Sequence, residues 1–116
     1  MKKIQDHYFK EAKKQGYVAR SAFKLEEMDR KFRLLRRGQH VIDLGCAPGS
    51  WLQYAAKKVL PEGSLTGVDL KQMKIHFPES VRIFQSDIST LEESILASSR
   101  FDLVLSDMAP DTTGIP

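Results

Sequence analysis

A single cysteine, Cys46, leaves the chain with no internal disulfide, and its three histidines, at positions 7, 40 and 76, have no metal-ligand spacing. Neither redox chemistry nor a metal site is indicated. No segment approaches the roughly 20 consecutive apolar residues that a membrane helix needs. The start, Met1-Lys2-Lys3-Ile4-Gln5-Asp6, is polar where a secretory signal would be apolar. These absences lead to the expectation of a cytoplasmic protein with no membrane role. Internal repeats, low-complexity tracts and linkers are also missing. What is present is 116 residues, 41% of them apolar, which is enough for one small core.

The net charge of +3 is small but unevenly placed. Residues 1–38 carry twelve Lys and Arg against five Asp and Glu, whereas the remainder carries six against ten. A basic amino-terminal segment ahead of an acidic body points to a polyanion gripped at that end, through Lys13, Lys14, Arg20, Arg36 and Arg37. A solvated helix face would produce the same charge pattern.

Two helices are predicted in this basic part, a polar one at 6–14, broken at Gly16, and a longer one at about 18–35. In the second, Val18, Ala22, Leu25, Met28 and Phe32 recur at helical spacing while Arg20, Glu27, Lys31 and Arg33 face water. Arg36-Arg37-Gly38 is read as its end, with cations for the helix dipole and a glycine for the left-handed cap. From residue 40 the pattern changes to short apolar runs that end in aspartate. Strands are expected at 40–44, 64–68, 81–84 and 101–105, with helices at 49–59 and about 91–97. Strand and helix in alternation imply a parallel sheet built from right-handed crossovers, an α/β Rossmann-like fold. Residues 1–38 are then a basic helical extension packed on the α/β part, 39–116, in one structural unit.

Ligands of open parallel sheets bind at the carboxyl ends of the strands. Asp43, Asp69, Asp87 and Asp107 all fall at such ends. Gly45 and Gly49 bracket the first strand-to-helix turn, where small residues let the backbone approach a ligand at the helix amino terminus. Asp69, twenty residues beyond Gly49, is placed to accept from both ribose hydroxyls, and Asp87 to meet an adenine edge. Any one of these aspartates alone reads as a cap or turn residue; four at successive strand ends describe a nucleoside-shaped pocket. The loop departs from Gly-x-Gly-x-x-Gly, with Ala47, Pro48 and Ser50 at the intervening or final places, and Pro48 removes an N–H that a pyrophosphate would use. A cofactor without phosphates suits it better. Cys46 reads as a small packing residue.

Three blocks carry a more specific resemblance. Tyr17-Val18-Ala19-Arg20-Ser21-Ala22-Phe23-Lys24-Leu25, Asp43-Leu44-Gly45-Cys46-Ala47-Pro48-Gly49-Ser50-Trp51 and Leu105-Ser106-Asp107-Met108-Ala109-Pro110-Asp111-Thr112-Thr113-Gly114 resemble, in order and separation, the FtsJ/RrmJ-type ribosomal RNA 2′-O-ribose methyltransferases. The resemblance implies a Rossmann-like methyltransferase fold and S-adenosyl-L-methionine contacts at Gly45, Gly49, Trp51, Asp69, Asp87 and Asp107. For Trp51, core packing in an amphipathic helix explains the residue equally well. It implies further that Lys24 and Asp107 are the first two members of the family's Lys-Asp-Lys-Glu tetrad, acting on a ribose 2′-hydroxyl of large-subunit ribosomal RNA, with uridine the expected nucleotide. Read from the residues alone, Lys24 is an amphipathic lysine along the edge of the core.

The second lysine and the glutamate of the tetrad have no counterpart before Pro116, and Asp111 stands where the family commonly has asparagine. The expectation is therefore either a fragment of a longer enzyme or a partner that covers an open, apolar fourth strand, Phe101, Leu103, Val104 and Leu105. The alternative function is a non-catalytic RNA-binding or assembly module that keeps the cofactor pocket. A nicotinamide-dependent oxidoreductase shares the carboxylate at Asp69 but lacks the glycine fingerprint.

Overall fold

The computed structural model describes residues 16–73, 75–88 and 100–107. Four strands, β1 (His40–Leu44), β2 (Ser64–Asp69), β3 (Val81–Gln85) and β4 (Leu103–Ser106), form one parallel sheet in the order β3-β2-β1-β4. Among the described residues two helices accompany it, α1 (Ser21–Phe32) and α2 (Ser50–Val59). The order follows from the crossovers: β2 and β3 are added on one side of β1, and β4 returns to the other. The chain reverses direction across the sheet between β1 and β4, where such folds open a crevice.

Burial explains the composition of the central strands. In β1, Val41, Ile42 and Asp43 are no more than 1% exposed, as expected for a strand paired on both sides, and β-branched residues suit that pleated, covered surface. α2 covers the sheet with Leu52, Ala55 and Val59, all fully buried, and Trp51 at 4%. Truncating one of these large side chains to alanine costs about 2–5 kcal/mol. α1 packs on α2 through Ala22 and Leu25. Between them, the buried Asp29 accepts the Tyr54 hydroxyl (2.9 Å, Oδ2) and the Leu35 N–H (2.8 Å, Oδ1).

The helix expected at about 18–35, α1, is shorter than the sequence pattern indicated. It begins at Ser21, three residues late, and the Val18 N–H ahead of it donates to Gln53 Oε1 on α2. It ends at Phe32, because Arg33 adopts the left-handed conformation (φ 51) and returns its N–H to Asp29 O. Arg36-Arg37-Gly38 is therefore a separate turn, with the Gly38 N–H bonded to Val59 O. The two ends of the apolar stripe, Val18 and Phe32, are exposed at 42% and 61%. The fourth strand starts two residues later than expected, at Leu103, after Asp102 has exchanged bonds with the His40 backbone. Among the described residues it has one neighbour, β1, and Val104 is 58% exposed. The helices expected at 6–14 and 91–97 lie outside the described residues.

Candidate functional site

Register sets the site. Leu44 pairs with Val68 on one side and Ser106 on the other, so the next residues, Gly45, Asp69 and Asp107, emerge side by side at the carboxyl edge of the sheet. Asp69 in turn pairs with Gln85, two residues before Asp87. A cavity of about 590 Å³ opens there, within the roughly 300–1,000 Å³ of small-molecule sites. Gly45, Ala47, Asp69, Asp87 and Asp107 line it, with Leu70, Lys71 and Ile88.

The β1–α2 turn folds over the end of β2. Gly45, with φ 79, lets the chain double back so that its own N–H and that of Cys46 both reach Val68 O, at 2.7 and 3.1 Å. The Ala47 N–H then donates to Asp69 Oδ2 (2.8 Å), and the Lys71 N–H to Oδ1 (2.8 Å). Asp69 is thus fixed by two backbone donors, yet each carboxylate oxygen accepts about two hydrogen bonds. One acceptor position per oxygen remains. Gly49 lines neither this cavity nor the smaller one beside it. It caps α2 at φ 112, and a Cβ there would lie 2.6 Å from Met73 Cε.

Beside the main cavity is a smaller one of about 60 Å³, bounded by Ser21, Asp43, Gly45, Trp51 and Asp107 among others. Asp43 is its notable member. The side chain is 1% exposed and neither carboxyl oxygen has a hydrogen-bond partner among the described residues. Burial, and then the charges of Asp107 and Asp69, raise its pKa from 3.8 to about 7. A buried, unpartnered carboxyl is costly unless a ligand satisfies it. The Cys46 thiol, buried and bonded weakly to Met73 Sδ (3.8 Å), is pushed up to about 12, which makes it inert packing.

Lys24, on α1, reaches across to β4. Its Nζ stands 2.9 Å from Asp107 Oδ1, eighty-three residues away in sequence. The helix carrying Lys24 is braced at its first turn: Ser21 Oγ bonds Ser50 Oγ, and the Trp51 indole N–H donates to Ser21 O (2.8 Å). Trp51 is therefore a buried strut between α1 and α2 that also borders the smaller cavity. Arg20, Arg36 and Arg37 are exposed, with Arg37 Nε 3.8 Å from Glu62, while Lys13 and Lys14 lie outside the described residues.

Sequence reasoning placed Asp43 at a strand end but gave it no role, and it passed over Ser21, Leu70 and Ile88. Leu70 and Ile88 did leave a signal. Each directly follows a strand-end aspartate, so the repeated pair Asp-Leu and Asp-Ile sets an apolar side chain beside each carboxylate. No local pattern marked Asp43 as unpartnered.

Comparison with known proteins identifies the family. The FtsJ-like methyltransferase family matches residues 17–116. A ribosomal RNA large subunit methyltransferase E of Syntrophobacter fumaroxidans is 47% identical over 115 residues, covering 97% of this chain and 58% of the relative. Its counterpart from Desulfatibacillum aliphaticivorans is 50% identical over 113 residues, covering 96% and 55%. A crystal structure assigned to a ribosomal RNA methyltransferase of Plasmodium falciparum superposes with a TM-score of 0.70 at 29% identity, covering 85% of this chain and 60% of that one. The chain thus spans little more than half the length of the curated relatives it matches. Matched by that family over residues 17–116 and 47–50% identical to these two curated relatives, it belongs to the FtsJ-like methyltransferase family.

Proposed function

We propose that the chain belongs to an S-adenosyl-L-methionine-dependent RNA methyltransferase that modifies a ribose 2′-hydroxyl, of uridine in large-subunit ribosomal RNA, in the cytoplasm. The observation that carries this reading is the Lys24–Asp107 pair, 2.9 Å apart, on the rim of the cavity that Asp69 and Asp87 line. The residues present fit the cofactor. Asp69 has one free acceptor position on each oxygen for the ribose, and Leu70 and Ile88 give an apolar wall for a purine face. The unpartnered Asp43 carboxylate suits the ammonium of the methionine tail. When bound, S-adenosyl-L-methionine supplies an electrophilic methyl group on a sulfonium.

The chain's own residues then hold the nucleophile. The Lys24 ammonium, directed by Asp107, stabilises negative charge as it develops on the ribose 2′-oxygen. Asp107 lines the cofactor cavity and contacts Lys24 as well, so it fixes the acceptor position relative to the donor. Arg20, Arg36 and Arg37, with Lys13 and Lys14 from the preceding segment, supply phosphate contacts. Calorimetry on the chain tests the pocket: Asp69→Ala is expected to abolish binding of S-adenosyl-L-methionine, and wild-type binding with Asp69→Ala unchanged would refute the assignment. In a product that carries the rest of the family's domain, Lys24→Ala should lose methyl transfer while retaining cofactor affinity. RNA binding by that longer product without methyl transfer would instead favour an assembly module.

A further inference from the structure

Phe32 is out of place by the logic of its own helix. Helical spacing sets it on the stripe of Leu25 and Met28, yet it is 61% exposed. The left-handed turn at Arg33 ends the helix, and Leu35 enters the core instead, at 8% exposure. The phenyl ring is left on the surface at the carboxyl end of α1, among cations. The Lys31 ammonium sits over the ring, 5.3 Å from its centroid. Arg30, Arg33, Arg36 and Arg37 are exposed within a few residues of it. Of these, Arg30 pairs with Glu26 (2.6 Å) and Arg37 loosely with Glu62 (3.8 Å). Lys31, Arg33 and Arg36 have no ion pair among the described residues.

We infer that Phe32 and its surrounding cations form a base-stacking platform for single-stranded RNA, separate from the cofactor cavity. An exposed aromatic ring within a basic patch is the combination that grips unpaired strands: the ring takes a base and the cations take phosphates. A duplex keeps its bases stacked inside, so the ring gives preference for single strands. The position suits the strand that would reach Lys24. Phe32 lies eight residues further along α1, about 12 Å along the axis. That is about three to four nucleotides of a stacked strand at 3.4 Å each. Lys31, seven residues from Lys24, returns to nearly the same side of the helix and marks the path between them. The inference rests on the proposed RNA substrate and adds to it a contact remote from the reacting ribose.

Fluorescence anisotropy on the full chain tests it, with a labelled, unstructured single-stranded oligoribonucleotide and a blunt RNA duplex as probes. Phe32→Ala should weaken single-strand binding about 5- to 100-fold. Its salt dependence should not change, and duplex binding should stay at the wild-type level. Phe32→Trp should restore single-strand affinity, whereas Phe32→Leu, apolar but without a π face, should not. Lys31→Ala should instead reduce the salt slope by about 0.7. Because Phe32 is on the surface, circular dichroism of each variant is expected to match wild type. Equal single-strand affinity of Phe32→Ala and wild type, equal losses on duplex and single strand, or rescue by Phe32→Leu would each overturn the platform while leaving the RNA reading intact. A wild-type chain that binds anionic vesicles but no oligoribonucleotide would overturn both.

Discussion

The carboxyl of Asp43 is buried with no hydrogen-bond partner among the described residues, and its effects are measurable. Its pKa is raised from 3.8 to about 7, so the folded chain holds the proton more tightly than the unfolded chain does. Stability from this group is present below about 4 and is lost as pH rises through about 7. The shift corresponds to roughly 4 kcal/mol in the difference between protonation states. Asp43→Asn should therefore raise the urea midpoint of the ligand-free chain at alkaline pH and flatten its pH dependence between those limits. The same variant should bind S-adenosyl-L-methionine more weakly, because an amide offers no charge to an ammonium. Wild-type affinity should fall as pH drops below about 7, with proton release seen by calorimetry in buffers of different ionisation enthalpy. At Gly49 the constraint is steric. Gly49→Ala combines φ 112 with a contact of 2.6 Å to Met73 Cε, and should lower the unfolding free energy by about 1–3 kcal/mol.

At the scale of elements, α1 matters through how it is fastened rather than through its length. Two ties fix it to α2: Asp29 with Tyr54 towards its carboxyl end, and Ser21 with Ser50 and Trp51 at its start. Tyr54→Phe leaves a buried carboxylate without one donor and should cost about 1.5–3 kcal/mol, read from the thermal midpoint. Trp51→Phe keeps most of the packing but leaves Ser21 O without the indole donor. Since Lys24 lies one turn further along, this variant should reduce methyl transfer in the longer product by more than it reduces cofactor affinity. Equal losses would make Trp51 a cofactor contact in its own right. The α2 contacts were legible in the sequence because Leu52, Ala55 and Val59 share one helical face. The ties to α1 were not, since they join residues about thirty apart through single hydrogen bonds.

For the whole molecule, the sheet has one well-covered centre and an apolar rim. Among the described residues β4 pairs only with β1, and its Val104 is 58% exposed. Open strand edges template association with other chains. The 116-residue chain should therefore self-associate at high concentration, and Val104→Lys should shift it towards monomer in sedimentation velocity without changing cofactor affinity. A monomeric wild-type chain at the same concentration would show that the edge is covered. Among the described residues, no helix is long and apolar enough to cross a membrane.

Alternating apolar runs and turn signals determined the strands, the parallel α/β class and the aspartates at the strand ends, because side-chain periodicity and chain reversal are local properties that a sequence displays directly. The three family blocks fixed the company these residues keep. Tertiary structure alone decided which of them meet. It brought Lys24 to Asp107 across eighty-three residues, left Asp43 buried without a partner among the described residues, set Gly49 against Met73 at the start of α2, and turned Phe32 out to solvent. Each of those outcomes depends on register and on where a helix ends. Both are set by contacts between distant segments, which no spacing along the chain records.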